Sequence, residues 1–380
     1  MKKIKFTDCV DFVGTSCGEF IGTKSYISTG AVSIDHIKST DIEIVEYNSR
    51  PSRANLVVEE NDILFAKMQA TEKTLLVDEK LCNHIYSTGF CAVRAKKDII
   101  TDKCLYYLLA SEAFLSQKDK NCSGATQKAI TNAGLGKINI CVPHIAYQNE
   151  LVRQLDILSN LITFKKKQLS KLDELVKSRF IEMFGDPKAN PKGYVKKQLK
   201  ETCRVITGNT PSRAVAEYYG DDIEWIKTDN IVEGLLYPTV AAESLSEKAM
   251  SVGRMVGENS ILMACIAGSL SSIGRVCVTD RRVAFNQQIN AIEPDKYNTL
   301  FLYVMLQLSK EYLIEEINMS LKGILSKSKL EEKIFIVPQM GLQEQFAAFV
   351  EQTDKSKFEI QKSLEKLETL KKALMQKYFG

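Results

Sequence analysis

Residues 142–185, VPHIAYQNELVRQLDILSNLITFKKKQLSKLDELVKSRFIEMFG, return at 337–380 as VPQMGLQEQFAAFVEQTDKSKFEIQKSLEKLETLKKALMQKYFG, at a constant offset of 195 residues and without a gap. Val142 and Pro143 face Val337 and Pro338, and Gln148 faces Gln343. Lys167, Leu169, Lys171, Leu172, Leu175 and Lys177 face Lys362, Leu364, Lys366, Leu367, Leu370 and Lys372, and Phe184-Gly185 faces Phe379-Gly380. An ordered set of identities carried across a helix and its flanks marks one unit written twice. Upstream the likeness weakens but persists. Asp62–Ala66 resembles Ser260–Ala264, and Leu105–Leu109 resembles Phe301–Met305. The framework repeats, while the parts that could touch a ligand differ.

Each copy has the same order of parts. A variable, strand-rich region is followed by a short helix and a turn near Gly124 or Gly323. A strand ending in Val-Pro comes next, over Ile138–Val142 and Ile334–Val337, because proline cannot donate to a ladder. A long helix closes the unit. In the first helix the apolar positions Leu151, Leu155, Leu158, Ile162, Leu169, Leu172, Val176 and Phe180 follow heptad spacing, with Lys165 in one apolar slot. In the second, Phe346, Val350, Ile360, Leu364, Leu367 and Leu374 do so, interrupted by Thr353, Lys357 and Lys371. Neither stripe can be buried alone, so the two helices are expected to pair. The alternative, in which each covers only the sheet of its own domain, is open at this point.

The fold class this predicts is α+β. Two similar domains of mixed sheets and short helices are separated by two long antiparallel helices forming a coiled coil, as a pseudo-twofold repeat. The expected boundaries are 1–143 and 186–338 for the domains, and 144–185 and 339–380 for the helices.

At 380 residues, with 44% hydrophobic and 26% charged, the chain has the composition of ordinary globular domains. The 51 Lys and Arg against 47 Asp and Glu leave a net charge of +4, which permits local basic patches without demanding a nucleic-acid partner. None of the ten cysteines are in C-x-x-C spacing, and His36, His84 and His144 are scattered, which argues for reduced packing residues and against a metal site. No apolar run approaches a membrane span, so a cytoplasmic protein is expected. No Asn/Asp-Pro-Pro-Tyr/Phe, Gly-x-Gly cofactor turn, phosphate-binding loop, Gly-x-Ser-x-Gly elbow or His-Glu-x-x-His is present. No catalytic residue, metal or cofactor is therefore expected on this chain.

Three stretches together resemble one family. The first is the twice-written Val-Pro, Gln, long-helix, Phe-Gly pattern. The second is Ile206–Ser212, ITGNTPS, leading into Tyr218–Ile231, YYGDDIEWIKTDNI; the third is Ile273–Val276 followed by Ala284–Ala291, AFNQQINA. On these the chain is similar to specificity (S) subunits of type I restriction-modification systems. The resemblance implies two target-recognition domains, each reading one half of a split, asymmetric duplex DNA target. It implies helices that set the spacing and dock two methyltransferase subunits, and a restriction endonuclease/translocase that joins them. S-adenosylmethionine, ATP and Mg²⁺ would belong to those partners. The first half departs from the pattern, lacking the Gly-x-Thr-Pro-Ser opening.

Base reading needs short polar or cationic side chains on loops held by a rigid sheet. In the first half Lys67, Gln69, Thr71 and Lys73 form one such loop, and Thr126, Gln127 and Lys128 a turn. In the second half Thr210, Ser212, Arg213, Lys227, Thr228, Ser269, Ser271, Arg275, Asn286, Gln287 and Lys322 qualify. Each could equally be a solvated loop residue; Asn286 could bond the local backbone, and Trp225 is expected in the core. The rival readings are a self-contained restriction or modification enzyme with unfamiliar motifs, and a coiled-coil adaptor that binds protein.

Overall fold

A computed structural model describes residues 2–315, 317 and 323–380. The helices used below are α1 (Asp102–Leu109), α2 (Glu112–Lys120), α3 (Ile145–Phe184), α4 (Thr299–Leu308), α5 (Lys310–Ile314) and α6 (Met340–Phe379). By contacts the chain divides into one unit of Met1–Phe164 with Ser363–Gly380 and another of Lys165–Lys362. This division differs from the boundaries expected at 143 and 338. It runs through the middle of both long helices and assigns each helix half to a domain core.

In the first unit a four-stranded antiparallel sheet has the order Val10–Val13, Phe90–Ala95, Ile63–Ala66, Thr74–Leu76. The inner strand Ile63–Ala66 is buried on both faces, which is why it reads as an unbroken apolar run. Strand alternation sends Ile63 and Phe65 into a core with α1, and Leu64 and Ala66 into a second core on the other face. Val32, Val58 and Tyr86 share the second core. A five-stranded sheet follows the order Thr15–Ser16, Ala54–Val57, Ile85–Ser87, Thr23–Ile27, Glu43–Glu46, and contains one parallel pairing, Tyr26 with Ile85 and Ile27 with Tyr86.

The second unit repeats this plan. Its four-stranded sheet runs Cys203–Thr207, Ile289–Pro294, Ile261–Ala264, Val276–Val278. Ile261 and Met263 face one core, Leu262 and Ala264 the other. Its five-stranded sheet also holds a single parallel pairing, Trp225 with Ala284 and Ile226 with Phe285. The strands before the two Val-Pro sites, Asn139–Val142 and Ile334–Ile336, pair with Lys2–Lys5 and Lys196–Gln198.

The repeated glutamines explain one identity in the offset. Gln148 accepts the backbone N–H of Thr101, the residue capping α1, at 2.8 Å, and donates to the Ile99 and Pro143 carbonyls at 2.9 Å each. Gln343 accepts the N–H of Asn298, the cap of α4, at 2.9 Å and donates to the Pro338 carbonyl at 2.8 Å. Both are buried, and each ties the first turn of a long helix to the start of a short one. Such a side chain satisfies backbone groups that the helix ends leave open.

Each unit is completed by a helix end from the other copy. In the first, Leu151, Val152 and Leu155 of α3 share a core with Leu374, Met375, Tyr378 and Phe379 of α6 and with α1. Tyr107 donates to Asp156 at 2.7 Å, and Lys103 pairs with the same carboxylate at 2.6 Å, holding α1 to α3. In the second, Phe180 and Phe184 at the end of α3 meet Phe346 near the start of α6 and Phe301 of α4, with ring centroids 4.8–6.4 Å apart. In both, the beginning of one long helix lies beside the end of the other, so the paired segments are antiparallel.

The expected seam is partly an apolar one. Leu151, Leu155, Leu158, Ile162, Val176, Val350 and Leu364 are buried. Leu169, Leu172, Ile360, Leu367 and Leu374 are only half-buried. The two alternatives left open by the sequence both hold in part, because the buried helix faces meet a domain core and the partner helix together. Two of the polar interruptions are satisfied separately. Lys357 forms an ion pair with Asp173, and Thr353 is buried with its hydroxyl on the Phe349 carbonyl at 2.9 Å. A cavity of about 180 Å³ lies beside them, lined in part by Asp354, whose carboxyl burial pushes above its usual range.

All ten cysteines are free thiols, and burial pushes those of Cys9, Cys91, Cys104, Cys203, Cys265 and Cys277 up to about 12. Among the described residues there is no group of three or more His, Cys, Asp or Glu placed to hold a metal ion, and no helix long and apolar enough to cross a membrane.

Candidate nucleic-acid interface

In the first unit the loop after Ile63–Ala66 is tied to the 124–130 turn. Gln69 N–H donates to the Lys128 carbonyl at 3.0 Å, Ile130 N–H to the Lys67 carbonyl at 2.9 Å, and Gln127 reaches the Met68 sulfur at 2.9 Å. Lys67, Gln69, Thr71, Lys73, Thr126, Gln127 and Lys128 therefore belong to one polar cluster. Gln69, Thr126, Gln127 and Lys128 are exposed; Lys67, Thr71 and Lys73 are half-buried. The Lys73 ammonium is occupied by the Thr29 carbonyl at 2.6 Å. Ala70 sits at φ 55°, a left-handed conformation that costs an alanine about 1 kcal/mol. Its N–H is accepted by Asp119 at 3.1 Å.

In the second unit the loop after Cys203–Thr207 lies against the 285–288 turn. Gly208 is required there, since a Cβ would stand 2.1 Å from the Asn286 carbonyl oxygen. Thr210 hydrogen-bonds Gln287 across the two loops. The Gln288 carbonyl accepts N–H groups of Cys265 and Ile266 at 2.8 and 3.2 Å, which brings the 265–272 segment to the same edge. Arg213 lies 4.3 Å from the Tyr219 ring centroid and 5.4 Å from that of Trp225, and Lys227 is 4.9 Å from the latter. Trp225 itself is buried, as expected from sequence. Between the two cations stands Glu243, which pairs with Lys227 and with Arg213 at 2.6 Å. Lys227 first and Arg213 second hold its carboxyl below the usual range.

Ser269 and Ser271 lie on a single turn, their hydroxyls 3.0 Å apart, and both are exposed. Ser212 is exposed and Thr228 half-buried in the same region. Two predicted residues point elsewhere. Asn286 is buried and folds onto its own turn, accepting the Gln288 N–H at 3.1 Å. Arg275 is half-buried and turns back to the Ser272 and Ile231 carbonyls at 3.3 and 3.5 Å. Lys322 lies outside the described residues. Glu243, Tyr219 and Asp119 were missed by the sequence reading. Asp119 and Glu243 meet partners 16 to 49 positions away, and Tyr219 meets Arg213 and Trp225 only through the fold of the intervening loop, so no local spacing signals them.

Two copies of one α+β scaffold, each presenting polar loops of different chemistry from the ends of its strands, define a protein of two tandem, related domains. Residues 14–174 and 191–372 each match the family model of the type I restriction modification DNA specificity domain, and the chain belongs to that family. It is a specificity subunit of a type I restriction-modification system, the DNA-recognising, non-catalytic member of such an enzyme.

The chain is 23% identical to the type I restriction enzyme HindI specificity subunit of Haemophilus influenzae, covering 74% of this chain and 76% of that protein. It is 25% identical to the MjaIX specificity subunit of Methanocaldococcus jannaschii, covering 74% and 69%. The crystal structure of the type I restriction-modification system S subunit from M. genitalium has the same fold, with a TM-score of 0.61 at 15% identity over 100% of this chain and 96% of that one.

Proposed function

We propose that the chain reads an interrupted, asymmetric duplex DNA target, one half through the loops of each unit. In this reading it docks two methyltransferase subunits on its long helices, and a translocating endonuclease joins that assembly. One observation carries the reading. The order of the four-stranded sheet, the parallel pairing and the glutamine anchor are the same in both units, whereas the edge to which the five-stranded sheet adds its first strand differs, as do the length and chemistry of the loops at equivalent strand ends. Two unlike heads on a common frame suit two unlike half-sites.

Gln69, Gln127 and Gln287 are suited to adenine edges, and Arg213 and Lys227 to guanine edges. Lys67, Lys73, Lys128 and the hydroxyls of Thr71, Thr126, Thr210, Ser212, Thr228, Ser269 and Ser271 are suited to phosphates. Methyl transfer with S-adenosylmethionine, and ATP- and Mg²⁺-dependent steps, belong in this reading to the partner subunits, and the complex acts in the cytoplasm.

The test is co-expression with a type I methyltransferase subunit in a host lacking other methylation, followed by single-molecule sequencing of the genome. One interrupted, non-palindromic methylated motif is expected. Methylation of a single continuous motif, or methyl transfer by the purified chain alone, would contradict the reading.

A further inference from the structure

The α2 helix of the first unit carries a lysine that is 1% exposed. An ammonium removed from water must be fully partnered. Lys118 donates to the Met68 carbonyl at 2.9 Å and to the Thr71 carbonyl at 2.7 Å. Its third neighbour is the Asp119 carboxylate, at 3.3 Å. The two carbonyls bracket Gln69 and Ala70. Asp119 accepts the Ala70 N–H, and its carbonyl accepts the Gln69 side-chain amide at 3.2 Å. Three backbone groups at the tip of this loop, the Met68 and Thr71 carbonyls and the Ala70 N–H, therefore end on two consecutive residues of one helix, while its base is tied to the 124–130 turn.

The second unit has the same device, built differently. Lys310, the first residue of α5, donates to the Ser271 carbonyl at 2.6 Å, inside the loop that carries Ser269 and Ser271. At the offset of the repeat, Lys118 aligns with Leu313 and not with Lys310. The contact is thus not copied with the framework. It arises in each unit from a different position on the corresponding short helix, and each time it ends on a loop carbonyl following the same framework strand.

We propose that Lys118 and Lys310 are positioning residues, which hold the 67–73 and 268–272 loops in the shape that discriminates bases without touching DNA themselves. This rests on the reading of those loops as DNA contacts. Lys118 is too buried to reach a phosphate, so its loss should leave the charge-driven part of affinity almost intact and remove selectivity.

The experiment uses the full chain, alone and with its methyltransferase subunit. Hydrogen exchange on Lys118→Met should accelerate the amides of 67–73 about tenfold or more, the loss of roughly 1.4 kcal/mol of local protection, with strand 63–66 unchanged. Methylation of a randomised target library should lose about tenfold discrimination at one half-site only, with non-specific duplex affinity within about twofold. Lys118→Arg, whose planar fork cannot serve both carbonyls alike, should restore exchange protection only in part.

Unchanged loop exchange overturns the proposal. So does slowed methylation with selectivity retained, or faster exchange throughout the unit, which would mean a purely structural lysine. Gln69→Ala and Thr71→Ala separate the two levels. If they alter the half-site and Lys118→Met does not, only the positioning role fails. If they too leave it unaltered, the loop is no reader and the functional reading fails with it. Should Lys118→Met not fold, Lys310→Met at the half-buried site in the second unit gives the same readouts on the other half-site.

Discussion

Glu243 sits where a DNA-reading surface would be expected to be purely cationic. It neutralises both Lys227 and Arg213, and the Tyr219 and Trp225 rings hold those cations in place. Exposed ion pairs of this kind contribute little to stability, because water and salt screen them. Their consequence lies in binding, because a paired cation is poorly available to a random phosphate. Glu243→Gln should therefore tighten non-specific duplex binding and steepen its salt dependence, by about 0.9 in the log–log slope for each cation released. The selectivity for the methylated motif should fall at one half-site. Anisotropy titrations at several salt concentrations check this, and an unaltered slope would show that the carboxylate does not restrain the pair. At this scale the sequence was legible in part. Residue types on loops pointed to the candidates. Their orientation did not, since Asn286 and Arg275 spend their polar groups on nearby backbone.

The long helices show what periodicity can and cannot reveal. Spacing located both stripes, the pseudo-twofold reading of the repeat implied their antiparallel pairing, and the Lys357 and Thr353 interruptions proved to be an ion pair with Asp173 and a buried hydroxyl. Periodicity could not reveal that the stripe at each end is shared with a sheet-bearing core. Phe379, at the far end of α6, is 3% exposed in the core of the first unit, beside Leu151, Leu155 and the residues of α1. Phe379→Ala should thus destabilise a domain whose strands lie some three hundred residues earlier, by about 3–5 kcal/mol. Hydrogen exchange should rise in α1 and strand 63–66 and stay constant in strand 261–264. A uniform rise in both units, or none, would show that the helix end is not part of that core.

For the molecule as a whole, cores that borrow a helix end from the other copy constrain how its modules can be exchanged. Replacing residues 1–143 by the matching part of another family member should change one half of the methylated motif and leave the other. The replaced domain would still face the recipient's Leu151, Leu155, Leu374 and Phe379. A chimera that also takes 145–164 and 363–380 from the donor should therefore melt higher than the simple exchange, with the same motif. Thermal unfolding of the two chimeras compares them directly, and equal melting points would mean that the shared core tolerates any partner.

Repetition, apolar period and the Val-Pro and Phe-Gly boundaries are properties of neighbouring residues, so the sequence by itself determined the two-copy α+β plan, the two long helices and the family. Which helix end closes which core, which carboxylate meets which cation, and which lysines lie beneath the loops are pairings between residues tens to hundreds of positions apart. No local pattern records such pairings, because burial and charge compensation select them only once the sheets and helices have packed. The tertiary structure alone decided them.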